Sequence, residues 1–131
     1  MSDTNLLGET LAALHNHGLT TKDVLWVGSV DGKMAIDWDE FEPIAEKVDY
    51  NAGYGSPQIA QNLVVVGKDW WLERGEYDGS EWWEFKRAPT KATSPKQFGY
   101  VCVNNSPYVR FHCGWESLDG INGLKENEYD D

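Results

Sequence analysis

The segment Trp70-Trp-Leu-Glu-Arg-Gly-Glu-Tyr-Asp-Gly-Ser-Glu-Trp-Trp-Glu-Phe85 constrains the fold more than any other part of the chain. Asp-Gly flanked by alternating aromatic and polar residues is a strong hairpin signal, because a two-residue turn needs positive φ at its central positions. Closing the chain on Asp78-Gly79 pairs Tyr77 with Ser80 and fixes every pair behind it. One face then carries Trp70, Leu72, Arg74, Glu76, Glu81, Trp83 and Phe85, with Leu72 opposite Phe85 and Arg74 opposite Trp83. The Arg–Trp pair has a good cation–π geometry, worth ~0.5–1 kcal/mol when exposed. The other face carries Trp71, Glu73, Gly75, Tyr77, Trp82, Glu84 and Lys86. It sets Glu73 directly against Glu84, which is unfavourable unless something compensates.

The remaining pattern predicts an α+β fold of one domain over residues 1–124, followed by an acidic, frayed tail over 125–131. Leu6, Leu7, Leu11 and Leu14 predict a helix over 4–17, capped by Asp3 or Thr4 and ended by Gly18. Residues 24–37 read as a hairpin around Asp31-Gly32 of type I′, with Leu25, Val27, Met34, Ile36 and Trp38 on its core face. A short helix near 39–48 follows, capped by Asp37 or Asp39, with Phe41, Ile44, Ala45 and Val48 inward and Pro43 confined to its first turn. Ser56 and Pro57 can open one helical turn. Leu63 to Val66 is a β-branched strand that precedes the double-tryptophan hairpin and completes a three-strand meander.

Phe98 to Val103 and Tyr108 to Cys113 read as a last hairpin around Asn104–Pro107. Its core face holds Phe98, Tyr100, Cys102, Val109, Phe111 and Cys113. In that register Cys102 and Cys113 lie ~13 Å apart, too far for a disulfide, so both are expected as buried free thiols. The sheet is therefore expected to be antiparallel, built from a hairpin, a meander and a C-terminal hairpin, with two helices packed on it.

The charge is polarised. The chain carries 11 Lys+Arg against 22 Asp+Glu, a net charge of −11. By segment it is −7 over residues 1–50, −4 over 51–85, +5 over 86–114 and −5 over 115–131. The basic strip (Lys86, Arg87, Lys91, Lys96 and Arg110) contains no carboxylate. It either folds back on the acidic body or forms a contact strip. The acidic excess speaks against nonspecific binding to nucleic acid or anionic lipid. With 131 residues, no long apolar run and two cysteines outside any zinc spacing, the pattern predicts a cytoplasmic protein in a reducing compartment.

The residues name no reaction. Glu73 and Glu84 between Trp71 and Trp82 could serve a sugar site, or an acid/base couple at retaining-glycosidase spacing. The plainer reading is that Lys86, Arg87 or the basic loop neutralises the pair, or that a bulge at Gly75 shifts the register. His15 and His17 point apart on their helix, with a cap or dipole role for His17. His112 and Cys113 face opposite sides of a strand, so they do not form a catalytic couple. No metal site and no cofactor are expected.

The run Val66-Gly-Lys-Asp-Trp-Trp-Leu-Glu-Arg with Tyr77-Asp-Gly-Ser-Glu-Trp-Trp-Glu-Phe resembles a motif of small proteins encoded by bacteriophages and prophages, over about residues 63–86. The resemblance implies an accessory viral protein working in a bacterial cytoplasm, with no catalytic residue to transfer. The expected function is therefore non-enzymatic binding of a host protein. Such a partner would be a basic, nucleic-acid-binding or defence protein that the acidic surface inhibits in place of phosphates. Asp37, Asp39, Glu40 and Glu42 would steer it, and Trp71, Trp82, Glu73 and Glu84 would complete the binding face. No membrane and no direct nucleic acid are expected as partners, and a homodimer stays open. Two alternatives remain: a carbohydrate- or small-ligand-binding domain using exposed Trp, and an enzyme using Glu73 and Glu84.

Overall fold

Asp78 and Gly79 both adopt positive φ, 50° and 87°, and close the hairpin as the sequence requires. Strands β6 (Trp70–Tyr77) and β7 (Ser80–Arg87) pair along their full length. Tyr77 meets Ser80, Arg74 meets Trp83, Glu73 meets Glu84 and Leu72 meets Phe85, with no bulge at Gly75. The computed structural model describes residues 3–53, 55–110 and 114–124. Cys113 and the acidic tail fall outside them.

The fold is α+β. The described strands form a five-stranded antiparallel sheet and a small two-stranded one. Besides β6 and β7, the large sheet contains β2 (Trp26–Ser29), β3 (Ala35–Ile36) and β5 (Leu63–Val66), in the order β3-β2-β5-β6-β7. The small sheet joins β1 (Thr4–Asn5) to β4 (Asp49–Tyr50). Helix α1 (Leu6–Asn16) follows β1, and helix α2 (Trp38–Glu46) follows β3. The chain divides into two compact units, Met1–Pro89 and Thr90–Asp131.

In the first unit, Val27, Val65 and Leu72 lie in the inner sheet face, fully buried in one cluster with Leu6, Leu14, Phe41, Ala45 and Trp70. Burial of each large aliphatic side chain contributes ~1.5–3 kcal/mol. The stripe of α1 that reaches this cluster is Leu6-Thr10-Leu14, while Leu11 stays at the exposed margin. Thr10 tolerates full burial because its hydroxyl donates to Leu6 O at 2.7 Å and accepts Trp83 Nε1–H at 2.9 Å. The helix is capped by Asn5, not by Asp3 or Thr4. The Asn5 amide oxygen accepts Gly8 N–H, and its Nδ2 donates to Glu46 O at 2.9 Å and to Asp49 Oδ1 at 2.8 Å. A carboxylate could make only the accepting half of that link between α1 and the end of α2.

Several expectations fail for local reasons. Val27 pairs with Ile36 in the expected register, but the turn between them is not type I′. Gly32 takes φ 76° while Asp31 keeps negative φ. The Asp31 carboxylate accepts from Ser29 Oγ and Lys33 N–H, which shapes a longer loop and holds its pKa below the usual value. Leu25 and Met34 overhang the short β3 and are exposed. Pro43 sits in the second turn of α2 rather than the first, leaving Asp39 C=O without its helical donor. Its side of the helix is exposed, and Ile44 is exposed with it. No helical turn forms at Ser56 and Pro57.

The C-terminal hairpin is absent from the described residues. Residues 98–102 are irregular, Val103–Asn105 form a 3-10 turn, and Phe98, Tyr100, Val101, Cys102 and Tyr108 are exposed. The Asn122 side chain, just after α3 (Leu118–Ile121), accepts the N–H groups of Gly99 and Tyr100 and donates to Tyr100 O. A side chain thus takes the backbone partners that a strand ladder would have used.

Candidate functional site

Asp37, Asp39, Glu40 and Glu42 gather at the start of α2, all exposed. Asp37 is the N-cap residue and forms a capping box with Glu40, whose carboxylate accepts Asp37 N–H at 3.2 Å. The box holds the acids at the positive end of the helix, where they also help the helix to form. No cation pairs with any of the four among the described residues. Leu25 lines a shallow depression with Asp37 and Asp39, and Met34 lines an apolar cleft of about 260 Å³ with Ile36, Phe41 and Leu63. Leu25, Met34 and Ile44 are 60%, 73% and 56% exposed. Leu25, expected in the core, therefore stands beside carboxylates that no described cation pairs.

Trp71, Glu73, Trp82 and Glu84 occupy the opposite, outer face of the sheet, as alternation requires. Each acid accepts a hydrogen bond from the tryptophan two residues before it. Trp71 Nε1–H donates to Glu73 at 2.7 Å and Trp82 Nε1–H to Glu84 at 3.1 Å, with Lys86 Nζ 3.8 Å from Glu84. Gly75 makes room for this arrangement, since a Cβ there would stand 2.6 Å from both Glu84 Oε2 and Trp82 Nε1. Both indole N–H groups are engaged within the chain. The four acids of α2 and these four residues thus lie on different faces of the first unit and do not form one surface.

Between the faces lies a polar cluster that sequence reasoning missed. The expected Arg74–Trp83 cation–π pair forms, but in a buried setting, with the Arg74 side chain 3% exposed. Its guanidinium lies 4.6 Å from the Trp83 ring, 3.0 Å from Glu81 Oε1, 3.4 Å from Glu9 Oε1 and 2.8 Å from Tyr50 Oη. Buried Glu81 also accepts the N–H groups of Gln58 and Ile59, which straps the loop that was expected to turn helical. Burial, followed by donation to Glu9, pushes the Tyr50 phenol up to about 12. Burial opposes the Arg74 charge, but the Tyr50 hydrogen bond and the Glu9 and Glu81 carboxylates raise its pKa overall. The alternating register gave the only signal for this cluster, because it set Arg74 and Glu81 on the core face.

His17 closes the end of α1 and stacks flat on Phe85, with ring centroids 3.9 Å apart. Of the basic strip, Lys86 and Arg87 end β7 in the first unit, while Lys91, Lys96 and Arg110 belong to the second. Trp115, also in the second unit, is fully exposed. Among the described residues, no helix is long and apolar enough to cross a membrane, and no three His, Cys, Asp or Glu gather as a metal-binding group. Compared with protein families, curated proteins and solved structures, the chain matches none.

Proposed function

We propose that the protein is a non-enzymatic accessory protein of bacteriophage type that binds a basic host protein in the bacterial cytoplasm. The observation that carries this reading is the α2 surface. Asp37, Asp39, Glu40 and Glu42, with no cation paired to them among the described residues, gather at the start of α2, where Leu25 adjoins Asp37 and Asp39 and Ile44 lies exposed on the same helix. Apolar anchors with a charged rim are the ordinary anatomy of a protein-binding patch, and the acids supply steering toward a cation. A host protein that normally grips nucleic-acid phosphates suits such a patch, and occupying its phosphate site would inhibit it. Trp71 and Trp82 stand apart from this surface and are not needed for it.

The test is pull-down from host lysate over a salt series, with variants. A captured protein should dissociate steeply between about 50 and 200 mM salt, as multi-charge contacts do. The Asp39→Lys/Glu42→Lys variant should lose the captured protein, because it reverses two acids without touching the Asp37 cap. Trp71→Ala should keep it. Capture that ignores salt and survives the double reversal overturns the reading.

A further inference from the structure

We propose that the free edge of β7 is a seam for a second copy of this chain, paired antiparallel about Phe85. The seam is independent of the α2 surface. β7 ends the large sheet, and its ladder to β6 fixes which groups point outward. Tyr77 and Ser80 close the turn, so Ser80, Trp82, Glu84 and Lys86 turn their backbone groups toward β6. Glu81, Trp83, Phe85 and Arg87 turn theirs away. Glu81 N–H is taken by Ala52 O at 2.7 Å. Among the described residues, the outward N–H groups of Trp83, Phe85 and Arg87 take part in no hydrogen bond. Such a row of unpaired donors and acceptors is a template for strand addition, and natural edges are usually short, bulged or covered.

Charge selects the occupant and the register. Two copies related by a twofold axis can meet at three neighbouring registers that keep the outward groups paired. Centring on Glu84 sets Glu84 against Glu84 of the partner. Centring on Lys86 sets two lysines together. Centring on Phe85 sets Glu84 against the partner's Lys86, and Lys86 against the partner's Glu84. Opposite charges at facing positions stabilise and like charges destabilise, so of these three registers only the Phe85-centred one sets no like charges together. That register also sets Trp83 opposite the partner's Arg87 and forms roughly six main-chain hydrogen bonds, two for each facing pair of outward residues.

A second observation points the same way. Glu73 and Glu84 are directly opposed within one chain, and the nearest described cation is Lys86, only loosely placed at 3.8 Å from Glu84. The partner's Lys86 would bring a second cation to Glu84 from across the edge and relieve the like-charge pair.

The experiment is sedimentation of the full chain over a dilution series, with circular dichroism as a check on folding. The expected result is a concentration-dependent species of twice the 14.8 kDa chain. Glu84→Lys and Lys86→Glu should each weaken it roughly tenfold or more, since each turns two facing attractions into repulsions. The double swap Glu84→Lys/Lys86→Glu should restore it. Arg87→Pro should abolish it while leaving the fold intact, because the lost N–H points away from β6 and serves no bond in the monomer. A monomer at every concentration overturns the proposal. So does a dimer that survives Arg87→Pro, or one that the double swap leaves as weak as the single variants.

Discussion

The meander over 63–87 and the segment over 98–110 have comparable alternation, yet only the meander forms strands. Aromatic and β-branched residues mark both. The difference lies in the turns and in what the flanking strands can pair with. Asp78 and Gly79 supply two left-handed residues, and β5 gives the hairpin a third strand. Asn104-Asn105-Ser106-Pro107 supplies no positive φ; a 3-10 turn forms instead over Val103–Asn105, and Ser106 Oγ donates to Ile121 O. An isolated hairpin is marginal in water. A side chain that can take its N–H groups, as Asn122 does, is then enough to displace it. Alternation proposes a strand, but a turn and a neighbour decide it.

The sharpest way to break this comparison is to attack the meander where it is most tightly held. Arg74→Ala would leave Glu81 buried without its cation and Glu9 with only the Tyr50 hydroxyl as partner. Removing one member of a buried ion pair costs about 3–5 kcal/mol. Urea denaturation followed by Trp fluorescence should show that loss as a fall in midpoint with little change in slope. Arg74→Met fills similar volume but leaves the same two carboxylates unpaired, so it should not rescue. A loss below about 1 kcal/mol in both variants would mean that the cluster is surface-like and the meander is held by packing alone.

The second unit should answer to one residue of a different kind. Asn122→Ala removes the acceptor of Gly99 and Tyr100 N–H and the donor to Tyr100 O and Leu118 O. These bonds are solvent-exposed, so the expected cost is about 1–2 kcal/mol. Amide exchange at Gly99 and Tyr100 should accelerate, while exchange at Val65 and Leu72 stays slow. If residues 98–103 then gained strand-like protection, Asn122 would be confirmed as the competitor that displaces the hairpin.

These same residues show what could be read in advance. Every pair of the β6–β7 ladder follows from one dipeptide and a period of two. The start of α2 was legible because Asp37 is a good cap before an apolar run, and its acids stood out in the segment of charge −7. Burial was not legible in the same way. Alternation places Arg74 and Glu81 on a face but does not say that Glu9 and Tyr50 arrive there from α1 and β4. That meeting depends on helix placement, which no local pattern encodes. The exposure of Leu25 and Met34 likewise depends on β3 stopping after two residues.

The last expected effect is the most specific to the first unit. An ordinary phenol ionises near pH 10. Tyr50 ionises at about 12, chiefly because burial penalises the phenolate and secondarily because the proton is shared with Glu9 at 2.6 Å. A group whose folded pKa is raised contributes stability that is complete below its unfolded pKa and fades as pH climbs through the folded one. The first unit should therefore lose stability between pH 10 and about 12, as the unfolded chain releases the Tyr50 proton before the folded chain does. Phenolate absorbance should show one ionisation step near pH 12 that Tyr50→Phe removes. If no tyrosine titrates that late in the folded chain, the phenol is not sealed between Glu9 and Arg74, and the contrast between a buried polar anchor here and an exposed one at Asn122 fails.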